Sequence, residues 1–499
     1  MLRPLFFFIY LLSTKSFLLV RHDYRLNCLQ SSKRPNYKRE PPRSNFIEDD
    51  PESASSTSRK SRSSDPWKVL ITKLDSTKGD STHFGKNLIA SKGDNVPDQL
   101  LCRHFGTCSG CTIRGNFTES PVIKQARVYF ASESISLRVH VGDHHGWRTH
   151  VKLAVQPLSR WGGLKIGLYK AGSHEVEPIS HCRVHHPRIN EAVEEFRAAA
   201  SDVGVKAYQP PLSTAGGKNI DSSGELRYLQ MSVERNTSKI QLTMVWNAMM
   251  YKDAEQTLPR LVKRLKSRPD LWHSISINFQ TSTSNAILNY QPKAWKLLWG
   301  PPTVKEKVGA ANFFFKPQVF RQANLDLFAS SIIPMVVSHI PKDAKVAELY
   351  SGIGIIGLNI AEKASEVLCS DSNEYVDEIF NDCADSLPEM SQQKVFFENL
   401  SAEEAVEKGQ CNDAEVLIVD PPRRGLDRGV LDLLVNKHAN VKAESLKRLV
   451  YISCGFEALE SDCRVLLSSG LWKLKAADGY VMFPGSDHIE TVAVFDRKN

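Results

Sequence analysis

Three things are scarce in this 499-residue chain. No apolar run approaches the roughly 18 residues that cross a bilayer, which excludes a polytopic membrane protein. Ten cysteines are too few for a disulfide-stapled scaffold of this length. Charge of one sign is also scarce: Lys+Arg number 64 and Asp+Glu 56, a net charge of +8. Most of that excess is local. Residues 1–44 hold 9 basic and 2 acidic side chains, leaving 55 against 54 in the rest. Any surface for an acidic partner is therefore a local patch on a nearly neutral body. What remains, 41% hydrophobic and 24% charged, is ordinary for soluble globular domains, and the length suggests more than one core.

The front end reads as an address. The apolar stretch Leu5–Leu12 has the proportions of a signal-peptide core. An Arg-, Lys- and Ser-rich, acid-poor stretch of transit-peptide composition follows it. Residues 1–44 are expected to be a targeting presequence for an organelle, a plastid in preference to a mitochondrion, removed on import. Residues 45–97 are polar and Ser-rich, as expected of a linker.

From Lys345 onward short apolar strands alternate with helices: KVAELY, a glycine turn opening GLNIA, EVLCSD, NEYVDEIFNDCADSL, KVFFENL, AEVLIVDPP, RLVYISC and FEALESDCRVLLSSG. SAEEAVEKG is read only as a charged connection. LWKLKAADGYVMF and IETVAVFDR read as two strands in tight succession. The pattern predicts an α/β domain over 301–499, with a mostly parallel sheet and an antiparallel edge. Residues 98–300 read as an antiparallel, β-rich α+β region carrying a cysteine cluster. Ligands in open α/β sheets bind beyond the carboxyl ends of strands. That rim should gather Tyr350, Asp371, Asn399, Asp420 and Cys454.

The turn Gly352-Ile-Gly354-Ile-Ile-Gly357 fits a dinucleotide site, a methyl-donor site or close helix–strand packing. Asp371, closing the next strand, suits a ribose diol. In Asp420-Pro421-Pro422-Arg423, an arginine stands where an amino-methyltransferase would want an aromatic ring. Cys454 closes a strand and precedes a helix, a place expected to lower a thiol's pKa. Glu490 is its candidate general base. Cys369, Cys383, Cys411 and Cys463 read as buried structural thiols. Cys102-x5-Cys108-x2-Cys111, with Cys182, forms a nest suited to an iron–sulfur cluster or a zinc ion. His104, His181, His185 and His186 stand near enough for a mixed ligand set. The five-residue first gap departs from the radical-SAM pattern. Arg148, Lys152, Arg160, Lys165 and Lys170 could form a phosphate-contacting face.

Taken in order, the cysteine spacing, Phe320-x-Gln322-x-Asn324, ELYSGIGIIGL, DPPRRGL, YISC and HIETV resemble the RNA uracil-5-methyltransferases, and among them the iron–sulfur ribosomal RNA enzymes. The resemblance spans Cys102 to Glu490. It implies a class I Rossmann-like methyltransferase domain using S-adenosylmethionine. It implies donor- or base-site roles for Gln322, Tyr350, Gly352, Gly354, Asp371, Asn399 and Asp420. Cys454 would be the nucleophile and Glu490 the base. Cys102, Cys108, Cys111 and Cys182 would hold a 4Fe–4S cluster, in preference to zinc. The implied substrate is RNA, ribosomal rather than transfer RNA. The sequence departs from the family at Gly455-Phe456, Val481 and Ile355, and no N-terminal TRAM domain is expected before Leu101. Two other readings are a non-catalytic RNA-binding protein that kept the fold and, on the glycine turn alone, a NAD-linked enzyme.

Overall fold

The computed structural model describes residues 98–498 apart from 160–161, 214–218, 285 and 439–442. The presequence (1–44), the linker (45–97) and Arg160 lie outside the described residues.

An eight-stranded sheet runs in the order Arg138–Val141, Trp472–Val481, Glu490–Arg497, Arg448–Ser453, Val416–Val419, Lys345–Leu349, Glu366–Ser370, Val395–Glu398. The last five strands in that order are parallel neighbours, and the central Val416–Val419 is buried at every residue. Burial on both faces explains its unbroken apolar run. Glu490–Arg497 inserts antiparallel between Arg448–Ser453 and Trp472–Val481. The expected antiparallel element is therefore present, and the sheet continues past it. Arg138–Val141, far earlier in the chain, covers the edge by pairing parallel with Trp472–Val481. The final strands are not joined tightly. Residues 482–489 form a loop between them. SAEEAVEKG is a helix, Ala402–Glu407, opened by a capping box between Ser401 and Glu404.

The second sheet has seven strands, ordered Trp295–Trp299, Trp272–Phe279, Lys239–Trp246, Leu226–Glu234, His150–Ser159, Gly162–Tyr169, Val176–Pro178. All neighbours are antiparallel except Lys239–Trp246 with Trp272–Phe279. That one pair departs from the antiparallel pattern, which the other five follow. The intervening residues are numerous enough for a crossover through helix Leu258–Leu265, as a parallel pair requires. No helix among the described residues is long and apolar enough to cross a membrane.

Candidate active site

Register brings the predicted rim together. Leu349 pairs with Ser370 and Val419, and Ser370 pairs with Glu398, so Tyr350, Asp371, Asn399 and Asp420 leave the sheet at one level. The antiparallel pair Ser453↔Thr491 puts Cys454 and Glu490 at that same end, although 35 residues separate them in the chain.

At the glycine-turn end, the Asp371 carboxylate accepts the backbone N–H of Gly352 (2.9 Å) and of Asn373 (2.9 Å). Asn399 donates to the Asp371 carbonyl (2.8 Å). Tyr350 holds a left-handed φ of 59°, which costs a residue with a Cβ about 1–3 kcal/mol. Its hydroxyl donates to Asp427 (3.0 Å), tying it to the DPPRRGL loop. The glycines divide the work of the turn. A Cβ on Gly352 would meet open space, whereas one on Gly354 would strike the Phe380 ring at 2.4 Å. Gly357 packs onto Glu348, which accepts its N–H (2.8 Å). Gln322 is buried, and its neighbours fix it. Arg321 donates to Glu306 (2.6 Å) and the Val233 carbonyl, and Asn324 donates to the Met482 carbonyl (3.1 Å).

The thiol end corrects one expectation. The Cys454 thiol is pushed up to about 11, not down. Burial is the main cause, followed by the charges of Glu490 and Asp420; Arg423 and a backbone hydrogen bond at Cys454 act the other way. The helix behind it, Phe456–Ser468, has its N-cap at Gly455, directly after Cys454. Burial and Asp420 likewise hold Glu490 well above the usual carboxylate range, again opposed by Arg423. Asp420 is raised to about 7 by burial and by Asp371. Thiol, acids and guanidinium thus form one electrostatic unit. Sequence reasoning missed Arg423's place in it, and that of Asp462, which accepts from Tyr451 (2.7 Å) and the Leu426 N–H (3.0 Å) and pins the loop.

The departures from the family pattern are packing solutions. A Cβ on Gly455 would lie 2.6 Å from the Arg423 carbonyl, so the Cys454 loop rests directly on the arginine loop. Phe456 is buried against Tyr129 and Phe130 of helix Pro121–Ser132. Val481 is buried and faces Val141 across the edge pair. Ile355 packs against the core beneath the turn.

The four expected ligand cysteines do gather. Cys111 senses Cys182, Cys108 and Cys102, and burial raises it together with Cys108 and Cys182, the last to about 11. Backbone N–H groups of His185 and Val184 approach the Cys182 sulfur, and the Arg148 guanidinium faces Cys111 and Cys182. Among the described residues, no three His, Cys, Asp or Glu have the spacing to hold a single metal ion. His186 caps helix Pro187–Val203, and His104 sits 3.7 Å from Glu177. Cys369, Cys383, Cys411 and Cys463 are buried in the core as read.

The loop 482–489 joins this nest to the rim. Gly485 accepts the N–H groups of Thr112 (2.7 Å) and Ile113 (3.0 Å), and a Cβ there would lie 3.0 Å from the Cys111 sulfur. Ser486 donates to the Gly110 carbonyl. A cleft of about 1950 Å³ runs from the nest past Arg148, Lys152 and Lys170 to Arg423, His488 and Gln322. Lys165 and Lys170 pair with Glu175. Phe320 and Tyr290 line the cleft and remain more than half exposed.

No family model matches the chain. It is 35% identical over 401 residues to an uncharacterized RNA methyltransferase of Protochlamydia amoebophila, covering 80% of this chain and 98% of that protein. An uncharacterized RNA methyltransferase of Halalkalibacterium halodurans is 26% identical over 434 residues, covering 83% and 87%. The solved tRNA (uracil-54, C5)-methyltransferase of Pyrococcus abyssi, in complex with S-adenosyl-L-homocysteine, shares the fold. Its TM-score is 0.57 at 20% identity, over 77% of this chain and 85% of that one. The match to the Protochlamydia protein runs through both sheets and nearly the whole relative, and on that ground this chain belongs to the RNA methyltransferase family.

Proposed function

We propose that the protein methylates C5 of uridine in RNA, using S-adenosylmethionine, through a transient bond between Cys454 and C6 of the base. One observation carries this reading: a thiol, two acids and an arginine converge at the rim beside a glycine turn and Asp371. C5 of uracil is a poor nucleophile. Once the Cys454 thiol has given its proton to solvent, the thiolate attacks C6, forming an S–C bond and leaving C5 enolate-like. Bound beside Gly352 and Asp371, the donor supplies an electrophilic methyl group to that carbon. Glu490 then takes the C5 proton, the C5–C6 double bond re-forms, and the Cys454 sulfur leaves. Asp420 faces the base as an orienting acceptor, or as a donor when protonated, and Arg423 stabilises the negative forms of Cys454 and Glu490. The target base must leave its stack to reach this depth.

With labelled donor and uridine-containing RNA, 5-methyluridine should form, and 5-fluorouridine RNA should trap a covalent adduct. Cys454→Ala should abolish both, at least about 10⁴-fold in turnover. Turnover surviving that substitution sinks the mechanism, and donor binding without turnover on any RNA points instead to a non-catalytic RNA-binding protein. Mass spectrometry of nucleosides from ribosomal and transfer RNA, with and without the protein, separates the two substrates. Ribosomal RNA is the expected one.

Cys102, Cys108, Cys111 and Cys182 fit a 4Fe–4S cluster. The four thiols are within electrostatic reach, backbone N–H groups are aimed at sulfur, and the Arg148 cation stands where a negative cluster would need one. Its role would be structural, fixing the segment onto which loop 482–489 docks. Protein purified without oxygen should carry about four irons per chain. Stoichiometric zinc would refute this.

A further inference from the structure

One concave surface takes no part in the cleft. It lies at the Trp295–Trp299 edge of the seven-stranded sheet, the opposite end from the Val176–Pro178 strand. There helix Leu258–Leu265, the turn Tyr251–Ala254 and the edge strand enclose a groove of about 470 Å³. Its walls include Tyr251, Val262, Lys263, Lys266 and Leu298, and no carboxylate. The Lys296 ammonium adds a further charge, 3.8 Å from the centre of the Tyr251 ring.

The basic residues on and just past this helix differ in their partners. Arg264 is paired with Glu195 (2.8 Å) and Asp202 (3.0 Å), Arg268 with Glu191 (2.8 Å) and Asp270 (2.8 Å), and Arg260 donates to the Gln256 carbonyl (3.1 Å). Lys263 and Lys266 are exposed, sit one helical turn apart on one face, and enter no ion pair among the described residues. On a body whose charges otherwise nearly cancel, a lysine-walled groove without acids is a departure from the average. It lies near the cleft without sharing a lining residue with it. Trp295 opens the edge strand with its ring 6.5 Å from that of Tyr290, which lines the cleft. Leu298 lies three residues on, about 10 Å at strand rise.

We propose that this groove holds a phosphate-bearing stretch of the same RNA whose target base enters the cleft. Lys263 and Lys266 take backbone phosphates, and Val262 and Leu298 form an apolar floor for the adjoining sugar. Contacts of this kind set register on the RNA without reading its sequence. The proposal rests on the chain acting on RNA.

The test uses the full chain with Lys263 and Lys266 both changed to Gln. Binding to deproteinised ribosomal RNA and to polyuridylate is measured across a salt series. The slope of log affinity against log salt should fall by about 1.4–1.8, at roughly 0.7–0.9 per lost phosphate contact. Affinity at low salt should fall about tenfold, while turnover at saturating RNA stays unchanged. Each single Gln variant should give about half the slope change, and the double Arg variant none, which separates lost charge from lost folding. An unchanged slope overturns the proposal. So does a double variant that keeps its RNA binding but loses binding to phosphatidylserine vesicles. If the unaltered protein bound neither RNA, the underlying reading would fall instead of the groove.

Discussion

Asp371 and Asp420 end parallel strands two positions apart in one sheet, yet their surroundings are opposite. The Asp371 carboxylate is held by two backbone N–H groups supplied by its own turn and by Gly352. Asp420, with Glu490 beside it, receives no hydrogen bond from the described residues, and burial pushes both upward, with Asp371 adding repulsion at Asp420 and Asp420 at Glu490. One acid is anchored by the backbone of its own turn and of the glycine turn. The other two are held by burial in a costly state. On the proposed mechanism this contrast would separate a donor-binding end from a reacting end.

The contrast can be broken at its strongest point first. Glu490→Gln should lower turnover about 10²–10⁴-fold and leave the covalent RNA adduct standing, visible as a gel-stable complex on unmodified RNA. Loss of the adduct as well would move Glu490 to the first step. Asp371→Ala should act on binding alone, raising the KM for donor roughly 10- to 100-fold for a loss of about 1.5–3 kcal/mol, with kcat little changed. A fall in kcat instead would erase the distinction between the two ends. The smallest effect concerns stability. Burial raises Asp420 from the ordinary 3.8 to about 7 in the folded chain, so its contribution is present below pH 4 and lost as pH rises through 7. Asp420→Asn should therefore melt a few degrees higher than the parent at pH 8, with the difference vanishing near pH 4 in calorimetry.

Much of this was legible in the sequence, because strand ends are. Apolar runs closed by Asp371, Asp420 and Cys454 announced a common rim, and the glycine turn announced what faces it. What was hidden depends on the third dimension. Cys454 looks activated when only its own helix is considered, and becomes a suppressed thiol once Glu490 and Asp420 arrive from other strands. Gly455 looks like a missing asparagine until the Arg423 carbonyl is seen against it. The strand Arg138–Val141 is too short to assign by periodicity, and nothing local says that it pairs with Trp472–Val481. Helix Ala402–Glu407 was legible after all: Ser401 and Glu404 carry the capping-box spacing.

The docking of loop 482–489 onto the cysteine segment has a consequence in time. Arg138 and Asp478, which pair across the sheet edge, are 340 residues apart in the chain, and Gly485 and Cys111 are farther apart still. At roughly 5–20 residues per second of synthesis, the thiols of Cys102, Cys108 and Cys111 exist for about 20–70 s before the loop that covers them has been made. Through that interval they are not yet covered by that loop. The order of the chain thus leaves the nest accessible first and closes it last, with the strand that carries Glu490 following directly behind the closure.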